Sequence, residues 1–465
     1  MEKRSSFTGK IGFILAAAGS AVGLGNIWRF PYLAAKYGGG IFLLVYIILA
    51  LTFGFTLMVG EIAIGRKTGL SAIGAFSKLN KKFAFIGVLA AIIPSLILPY
   101  YSVIGGWVLK YLTVFISGGG TNAAEDGYFG GFITGACEPI LWFVIYIALT
   151  MLIVLFGVEK GIEKVSKVMM PLLVVLSVFV SIYGLFTPGA IDGLIYYIKP
   201  DFSKFSIMTV VAAMGQLFYS MSLAMGIMIT YGSYMKKDVS IESSARNIEI
   251  FDTGIAFFAG LMIIPAVFAY SGGDESALSA GPSLMFITLP KVFENMPGGQ
   301  IIGTVFFLLV LLAALTSSIS LAETVVSIIQ DKLKIDRKIT CLIVLIGALL
   351  LGLPSALGYG VLGGVKILGM QFLDFFDFIT NSALMPIVAL LTSVFIGYIL
   401  KPKAIIEEIE STYILKPKTI IEEIESTSTF KSKRLFVVVT KYIAPICLVI
   451  ILVSSILSAF GVISI

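Results

Sequence analysis

Between Gly19 and Tyr32 the chain reads GSAVGLGNIWRFPY, so three glycines, an amide (Asn26), a guanidinium (Arg29) and a proline (Pro31) interrupt an otherwise apolar stretch. A second interruption, SMSLAMG at 220–226, does the same further along. Backbone that leaves a helix at such a place exposes N–H groups, which attract an anionic group, and carbonyls, which hold a cation. A third cluster is regular: Ala313, Thr316 and Ser317 in LAALTSSIS stand at i, i+3 and i+4, on one face of a helix. Taken alone, such hydroxyls often bond back to their own carbonyls, and Gly19-x-x-x-Gly23 is also a pattern of small-residue helix packing. Arg29 is costly at bilayer depth without a partner, and Asp377 in QFLDFFDFIT offers one. Histidine is absent, which excludes an imidazole base, a His-ligated zinc and a His-bound haem. Cys137, Cys341 and Cys447 are scattered, so they suggest neither a disulfide framework nor a metal site. GLGNIW lacks the third glycine and the preceding strand of a dinucleotide fingerprint. With no nucleophile–base pair in evidence either, the residues do not read as an enzyme.

The elements that must position these groups are read from the apolar pattern. The 465 residues are 58% hydrophobic and 13% charged, against about 45–50% and about 25% in soluble domains, which excludes an ordinary soluble globule. Apolar runs between charged punctuation predict eleven segments near 11–36, 41–66, 84–117, 139–158, 165–187, 206–235, 242–271, 300–331, 339–358, 366–400 and 434–461. The expected fold is therefore an all-α polytopic membrane protein. With the N-terminus in the cytoplasm, 26 of the 33 lysines and arginines fall in inside connections. That places the N-terminus inside and, with an odd count, the C-terminus outside. The net charge of +6 then serves orientation rather than nucleic-acid binding.

Non-helical backbone at bilayer depth survives only where it lines a cavity or contacts ions. The interruptions fall in the first and sixth segments, the matching positions of two five-helix repeats related by inversion, which points to a midplane site in a secondary transporter. The expected division is an N-terminal stretch at 1–10, repeats at 11–187 and 188–400, a cytoplasmic loop at 401–433 and a last span at 434–465. In that loop KPKAIIEEIEST at 401–412 returns as KPKTIIEEIEST at 416–427, a tandem duplication with a 15-residue period. It is a charged amphipathic stretch, either a short surface helix or disordered, and is expected to be a linker without chemical role.

GSAVGLGNIWRFPY, Glu61 in VGEIAIGR, Tyr100-Tyr101 and Trp107, QLFYSMSLAMG and LAALTSSIS together resemble the neurotransmitter:sodium symporters of the LeuT fold. The resemblance runs from about Arg4 to Tyr398, and the eleven spans are similar to a prokaryotic group of that family. It implies two co-transported sodium ions. The first would be held by the carbonyl of Ala21 with Asn26, Ser220, Asp252 and the substrate's carboxylate, the second by carbonyls of Gly19, Val22 and Ala313 with the hydroxyls of Thr316 and Ser317. All are hard oxygens, as an alkali cation requires. It further implies that the substrate carboxylate meets the amides of Leu24 and Gly25 and the hydroxyl of Tyr101. The amino group would meet carbonyls of Ala21, Tyr219 and Ser220 and the hydroxyl of Ser222. Ile97, Tyr101, Tyr219, Met225, Ser317 and Leu321 would form the side-chain pocket. Arg29 with Asp377 would close the outside, and Arg4 with Asp331, Ser233 and Tyr234 the inside. Gly161 and Pro171 in GIEKVSKVMMP resemble a Gly-x9-Pro pattern, which implies that the fifth span unwinds when the inside opens.

None of the pocket residues titrates near neutrality, so a charged cargo side chain would be buried unpaired, and a neutral hydrophobic L-amino acid is expected. Amine-carrying relatives resemble this chain with an aspartate where Gly23 stands, so here the substrate must bring its own carboxylate. Chloride-dependent relatives have asparagine at the position of Asp252 and serine four residues on, where this chain has Ala256. No chloride is therefore expected, and Asp252 is a natural proton carrier in exchange for sodium. The expected protein is a sodium-coupled symporter of the cell membrane with no organic cofactor. The alternatives are a carrier of another small zwitterion and, against the paired gates, an ion channel.

Overall fold

The computed structural model describes residues 6–273, 282–411 and 430–459. These are helical almost throughout, with isolated backbone bridges between Gly39 and Pro200 and between Ile367 and Met370 and, among the described residues, no strand. Among the described residues nine helices are long and apolar enough to cross a bilayer: Gly40–Thr68, Lys81–Ile116, Glu138–Leu155, Val158–Leu185, Ile241–Ser271, Gly299–Leu333, Arg337–Leu357, Phe372–Leu400 and Lys433–Leu457. A tenth crossing is made by Lys10–Ala21 and Gly25–Lys36, bent by 54° at their break. Two further helices, Ile207–Ser220 and Ile227–Gly232, each too short to span alone, flank a second break and are counted together as the eleventh crossing among the described residues. In chain order the broken crossings are thus the first and the sixth of eleven.

The breaks are local and have causes. In the first span the helix ends at Val22, whose backbone is extended (ψ 110°), and Gly23 follows. In the sixth, Ser222, Ala224 and Gly226 all take positive φ (53°, 63° and 73°). Three left-handed residues in five end any helix, and for Ser222 and Ala224 the conformation costs about 1–2 kcal/mol each. Glu61, the acidic residue of VGEIAIGR in the second span, holds this turn by accepting a hydrogen bond from the Ala224 amide at 2.7 Å. Ser222 Oγ donates to the Ser20 carbonyl at 2.8 Å and so ties one break to the other.

The eighth span, Gly299–Leu333, is the axis: 89% of its apolar window is buried inside the protein against 33% for the last span. It packs against the first, third, fourth, fifth and ninth. The second span touches the sixth backbone to backbone, because a Cβ on Gly65 would lie 1.9 Å from the Ile229 carbonyl oxygen and one on Gly232 2.4 Å from that of Ile62.

Two features differ from the sequence reading. Short helices outside the spans, Ala190–Ile198 and Leu289–Glu294, were not legible as apolar runs of spanning length. The first copy of the duplication is not a free linker either. Pro402–Glu410 is a helix packed on the second span, with Ile405, Ile406 and Ile409 buried on one face and Glu408 paired with the buried Arg66. Three isoleucines and a glutamate at helical spacing make a docking face, which composition alone had disguised as solvated charge. The second copy, 416–427, and Arg4 lie outside the described residues.

If residue 224 is left-handed, Ala224→Gly removes that strain, offset in part by glycine's greater freedom when unfolded, and is expected to raise the thermal midpoint in detergent by roughly 1–2 °C. Ala224→Val should lower it by several degrees, since β-branched residues fit that region worst. Identical midpoints for all three proteins would contradict the conformation.

Candidate substrate and cation site

The two breaks enclose one pocket. Ala21, Gly23, Leu24 and Gly25 line it from the first span, Ile97 and Tyr101 from the third, Tyr219, Ser222 and Met225 from the sixth, and Ser317 and Leu321 from the eighth. Every substrate-pocket residue expected from the sequence is there except Ser220, which sits one layer away. Ser20, Asn26 and Ile227 complete the lining, which contains no formally charged side chain. The Leu24 amide at the start of the second half-helix donates to Tyr101 Oη at 3.1 Å. A Cβ on Gly23 would lie 2.6 Å from Ser317 Oγ and 2.9 Å from Tyr101 Oη, and one on Gly25 2.3 Å from the Tyr219 ring. A side chain at residue 23 would have to displace the ends of Ser317 and Tyr101, and glycine leaves them in place.

Beside the pocket stands a fully buried carboxylate, Asp252. Its Oδ1 accepts from Asn26 Nδ2 at 2.8 Å and from Ser220 Oγ at 2.7 Å, and its Oδ2 accepts from Tyr46 Oη at 3.2 Å. Asn26 Nδ2 also donates to Ser220 Oγ at 2.9 Å and to the Asp252 carbonyl at 3.2 Å, while Asn26 Oδ1 accepts from the Gly23 amide at 3.0 Å. The structure thus brings Asn26, Ser220 and Asp252 together, with Ala21 on the adjoining pocket wall. All three donors to the carboxylate are neutral, and no lysine or arginine among the described residues pairs with it. A buried anion in that state needs a cation or a proton.

A second oxygen-rich point lies where the first span meets the eighth. Ser317 Oγ reaches the carbonyls of Val22 at 3.0 Å, Ser20 at 3.1 Å and Gly19 at 3.5 Å. Thr316 Oγ1 bonds back to its own helix, to Leu312 O at 3.1 Å and Ala313 O at 3.0 Å. Gly19 lies against Thr316, its missing Cβ only 3.1 Å from that residue's own. The Thr316 hydroxyl therefore does what a hydroxyl on a buried helix ordinarily does, whereas the Ser317 hydroxyl crosses to the broken span. Ser317 thus gathers the carbonyls of Gly19 and Val22, while Thr316, the next residue back, meets the carbonyl of Ala313.

The model of the sodium:neurotransmitter symporter family matches residues 4–118 and 134–462. The chain belongs to that family. It is 37% identical over 418 residues to the uncharacterized sodium-dependent transporter YhdH of Bacillus subtilis, covering 88% of this chain and 91% of that one. It is 35% identical over 405 residues to the uncharacterized sodium-dependent transporter MJ1319 of Methanocaldococcus jannaschii, covering 84% and 80%. Among solved structures it is similar to MhsT in complex with L-phenylalanine, with a TM-score of 0.85 and 37% identity, over 97% of this chain and all of that one. The protein is accordingly a multi-pass, sodium-dependent transporter with the LeuT fold, and not an enzyme.

In this symporter the outer gate differs from the sequence expectation. Arg29 and Asp377 make no direct ion pair. Arg29 lies 5.5 Å from the centre of the Tyr219 ring, and Asp377 Oδ1 accepts from Asn381 at 2.6 Å and from Tyr100 Oη at 3.3 Å. The ring of Tyr219, a pocket residue, underlies the guanidinium, so an aromatic lid takes the place of a simple charge pair. At the other end Tyr234 Oη donates to Glu323 at 2.7 Å, and Glu323 pairs with Arg337. Asp331 accepts from the amide and hydroxyl of Ser71 at 2.8 and 2.6 Å, and Ser233 Oγ turns back onto the Thr230 carbonyl at 2.5 Å. Arg4, the fourth residue expected at this gate, lies outside the described residues.

Gly161 lies in a wide turn, 158–163, that opens the fifth span, and the helix then runs on through Pro171. Gly161 also has a packing reason to be glycine, since a Cβ would lie 2.2 Å from the Ile153 carbonyl oxygen.

Sequence reasoning missed three residues of the symporter. Tyr46 and Gln216 are fully buried, the first on Asp252 and Ser220 and the second donating to the Gly25 carbonyl at 2.8 Å. Gln216 stood inside a recognised motif, whereas Tyr46 gave no signal within FLLVYIILA. The third is Glu163, which accepts from the Thr8 amide at 2.8 Å and from the Thr8 hydroxyl, and pairs with Lys167 at 2.6 Å. Gly12 leaves room for it, because a Cβ there would lie 2.2 Å from Glu163 Oε1. Phe7, buried among Phe13, Tyr231 and Tyr234 at ring distances of 5.6, 5.6 and 6.2 Å, locks the same segment. Glu163→Ala is expected to speed amide exchange across 9–21 at least fivefold while that of 299–333 stays within twofold. Equal exchange in both segments would show that Glu163 does not hold the first half-helix.

Proposed function

We propose that this protein carries neutral hydrophobic L-amino acids into the cell with two sodium ions by alternating access, without chloride, through the plasma membrane with its N-terminus in the cytoplasm. The observation that carries the reading is the buried Asp252, hydrogen-bonded on both oxygens by neutral donors and adjoining a pocket without charge. A sodium ion between Asn26, Ser220, Asp252 and the Ala21 carbonyl supplies the missing positive charge. The substrate's carboxylate, set against Leu24, Gly25 and Tyr101, completes its shell, and the amino group faces Ser222 and the carbonyls of Tyr219 and Ser220. The second sodium takes the oxygens of Gly19, Val22, Ala313, Thr316 and Ser317. Support for an amino acid comes from the lack of any carboxylate side chain in the pocket lining, Gly23 included, and from the L-phenylalanine bound by MhsT. Support for the pocket's apolar preference comes from Ile97, Met225, Ile227 and Leu321 on its walls.

Sodium and substrate share ligands in this reading, so each raises the other's affinity by the same factor. Uptake of L-phenylalanine or L-leucine into proteoliposomes is expected to fall to background when choline replaces sodium outside, and with Asn26→Ala or Thr316→Ala in protein that still reconstitutes. Undiminished uptake in choline would overturn the coupling.

Chloride independence rests on the fixed charge. At an effective dielectric near 20, a unit charge about 4 Å away is worth roughly 4 kcal/mol, enough to decide whether two neighbouring cations bind. Asp252 supplies that charge from the seventh span, and Ala256, one turn on and fully buried, offers no hydroxyl to an anion. Rates in gluconate and chloride are expected to agree within error. Asp252→Asn should either abolish uptake or make it rise with chloride, and a wild-type protein that stalls in gluconate would contradict the proposal.

A further inference from the structure

The helix Pro402–Glu410 sits in a seat built for one carboxylate. Glu408 Oε1 accepts from Arg66 Nε at 2.9 Å and from Lys237 Nζ, and Arg66 also donates to the Val239 carbonyl at 2.8 Å and to the Glu408 carbonyl. The Arg66 side chain is 1% exposed. Ile405, Ile406 and Ile409 are buried beneath, and Lys67 Nζ donates to the Ala404 carbonyl at 3.3 Å. The seat therefore joins the end of the second span to the segment that follows the sixth, and its single buried guanidinium accommodates one glutamate at a time.

The chain carries a second segment with the same face. The repeat extends back beyond the lysines: 398–412 and 413–427 agree at every position except Ala404 against Thr419. Residue 404 is half-buried and meets Lys67 only through its carbonyl, so a threonine there keeps the contact. Ile420, Ile421, Glu423 and Ile424 repeat Ile405, Ile406, Glu408 and Ile409. We infer that the seat of Arg66, Lys237 and the Val239 carbonyl accepts either copy, so that the loop before the last span has two interchangeable registers.

Chain length permits both. Lys433 Nζ lies 3.8 Å from Glu410 Oε1, so the start of the last span is within two side-chain lengths, roughly 15 Å, of the seated helix end. With the first copy seated, 22 residues lie between Glu410 and Lys433. With the second seated, seven lie between Glu425 and Lys433, and the eight steps along the chain, at about 3.3 Å each, reach about 26 Å. On the other side, seating the second copy adds fifteen residues between Leu400 and the seat, where Lys401 now turns alone at φ +66°. A vacated seat leaves Arg66 buried without its carboxylate, and a tethered identical segment is present at high effective concentration to refill it.

The exchange is read by cross-linking in the full-length protein, with Cys137, Cys341 and Cys447 replaced by serine. Lys237→Cys is combined with Glu408→Cys or, separately, with Glu423→Cys, and both are treated with a short bis-maleimide. Both pairs are expected to link, and adding Glu408→Gln should raise the yield of the 237–423 link at least twofold. A 237–423 yield no higher than that of a Glu422→Cys control, with or without Glu408→Gln, would overturn the proposal. Trypsin cleavage after Lys237 gives an independent readout. Glu408→Gln and Glu423→Gln alone should change its rate less than twofold and the double variant should raise it at least tenfold. A Glu408→Gln protein cleaved as fast as the double variant would equally overturn it. Neither readout depends on which substrate or ion is carried.

Discussion

A helix interrupted inside an apolar slab must have each freed N–H and C=O paired from within the protein, because lipid supplies no partner. Two crossings of this chain are interrupted where they meet each other, and much of the rest of the fold serves to pair what they expose. Glu61 caps Ala224, Gln216 caps the Gly25 carbonyl, Tyr101 caps Leu24 and Ser317 caps Val22. Those caps come from the second, third and eighth spans and from the sixth itself, so the pocket cannot form until three other helices have assembled around the two broken ones. The strain of Ser222 and Ala224 persists because the surrounding contacts over-determine it.

The spans and the two breaks were legible because they are properties of contiguous sequence: hydropathy for the first, and Gly, Asn and Pro within an apolar run for the second. Pocket residues came from a resemblance in motifs, and the geometry gathers them around one cavity. What stayed hidden depends on pairing between distant segments. Tyr46 is one aromatic residue in an apolar run, and only the fold sets its hydroxyl 3.2 Å from Asp252. Glu163 read as one charge in a basic connection until the structure placed it against Thr8 and Gly12, about 150 residues away. Arg29 and Asp377 were paired on charge alone, whereas cation–π contact with Tyr219 and hydrogen bonds from Asn381 and Tyr100 give each another partner. The short helix was among the sequence alternatives for this stretch, but its docking was not legible, because that depends on one buried carboxylate meeting Arg66, 342 residues distant.

The arrangement of the first break accounts for how three sites can act as one. Val22, Gly23 and Leu24 are consecutive, yet the Val22 carbonyl faces Ser317, the Gly23 amide faces Asn26 and the Leu24 amide faces Tyr101. The proposed second cation site, the proposed first cation site and the carboxylate cradle therefore share two peptide planes. A peptide unit is rigid, so turning one carbonyl toward a cation turns the attached N–H with it. With Gly23 between them, the planes are free to turn only together with Tyr101 on the third span, Ser317 on the eighth and, through Asn26, Asp252 on the seventh. Coupling between ions and substrate then needs no long pathway. It is the stiffness of three residues, each hydrogen-bonded to a different element, and the energy available for it is limited to the difference in how well those elements hold the break with and without their cargo.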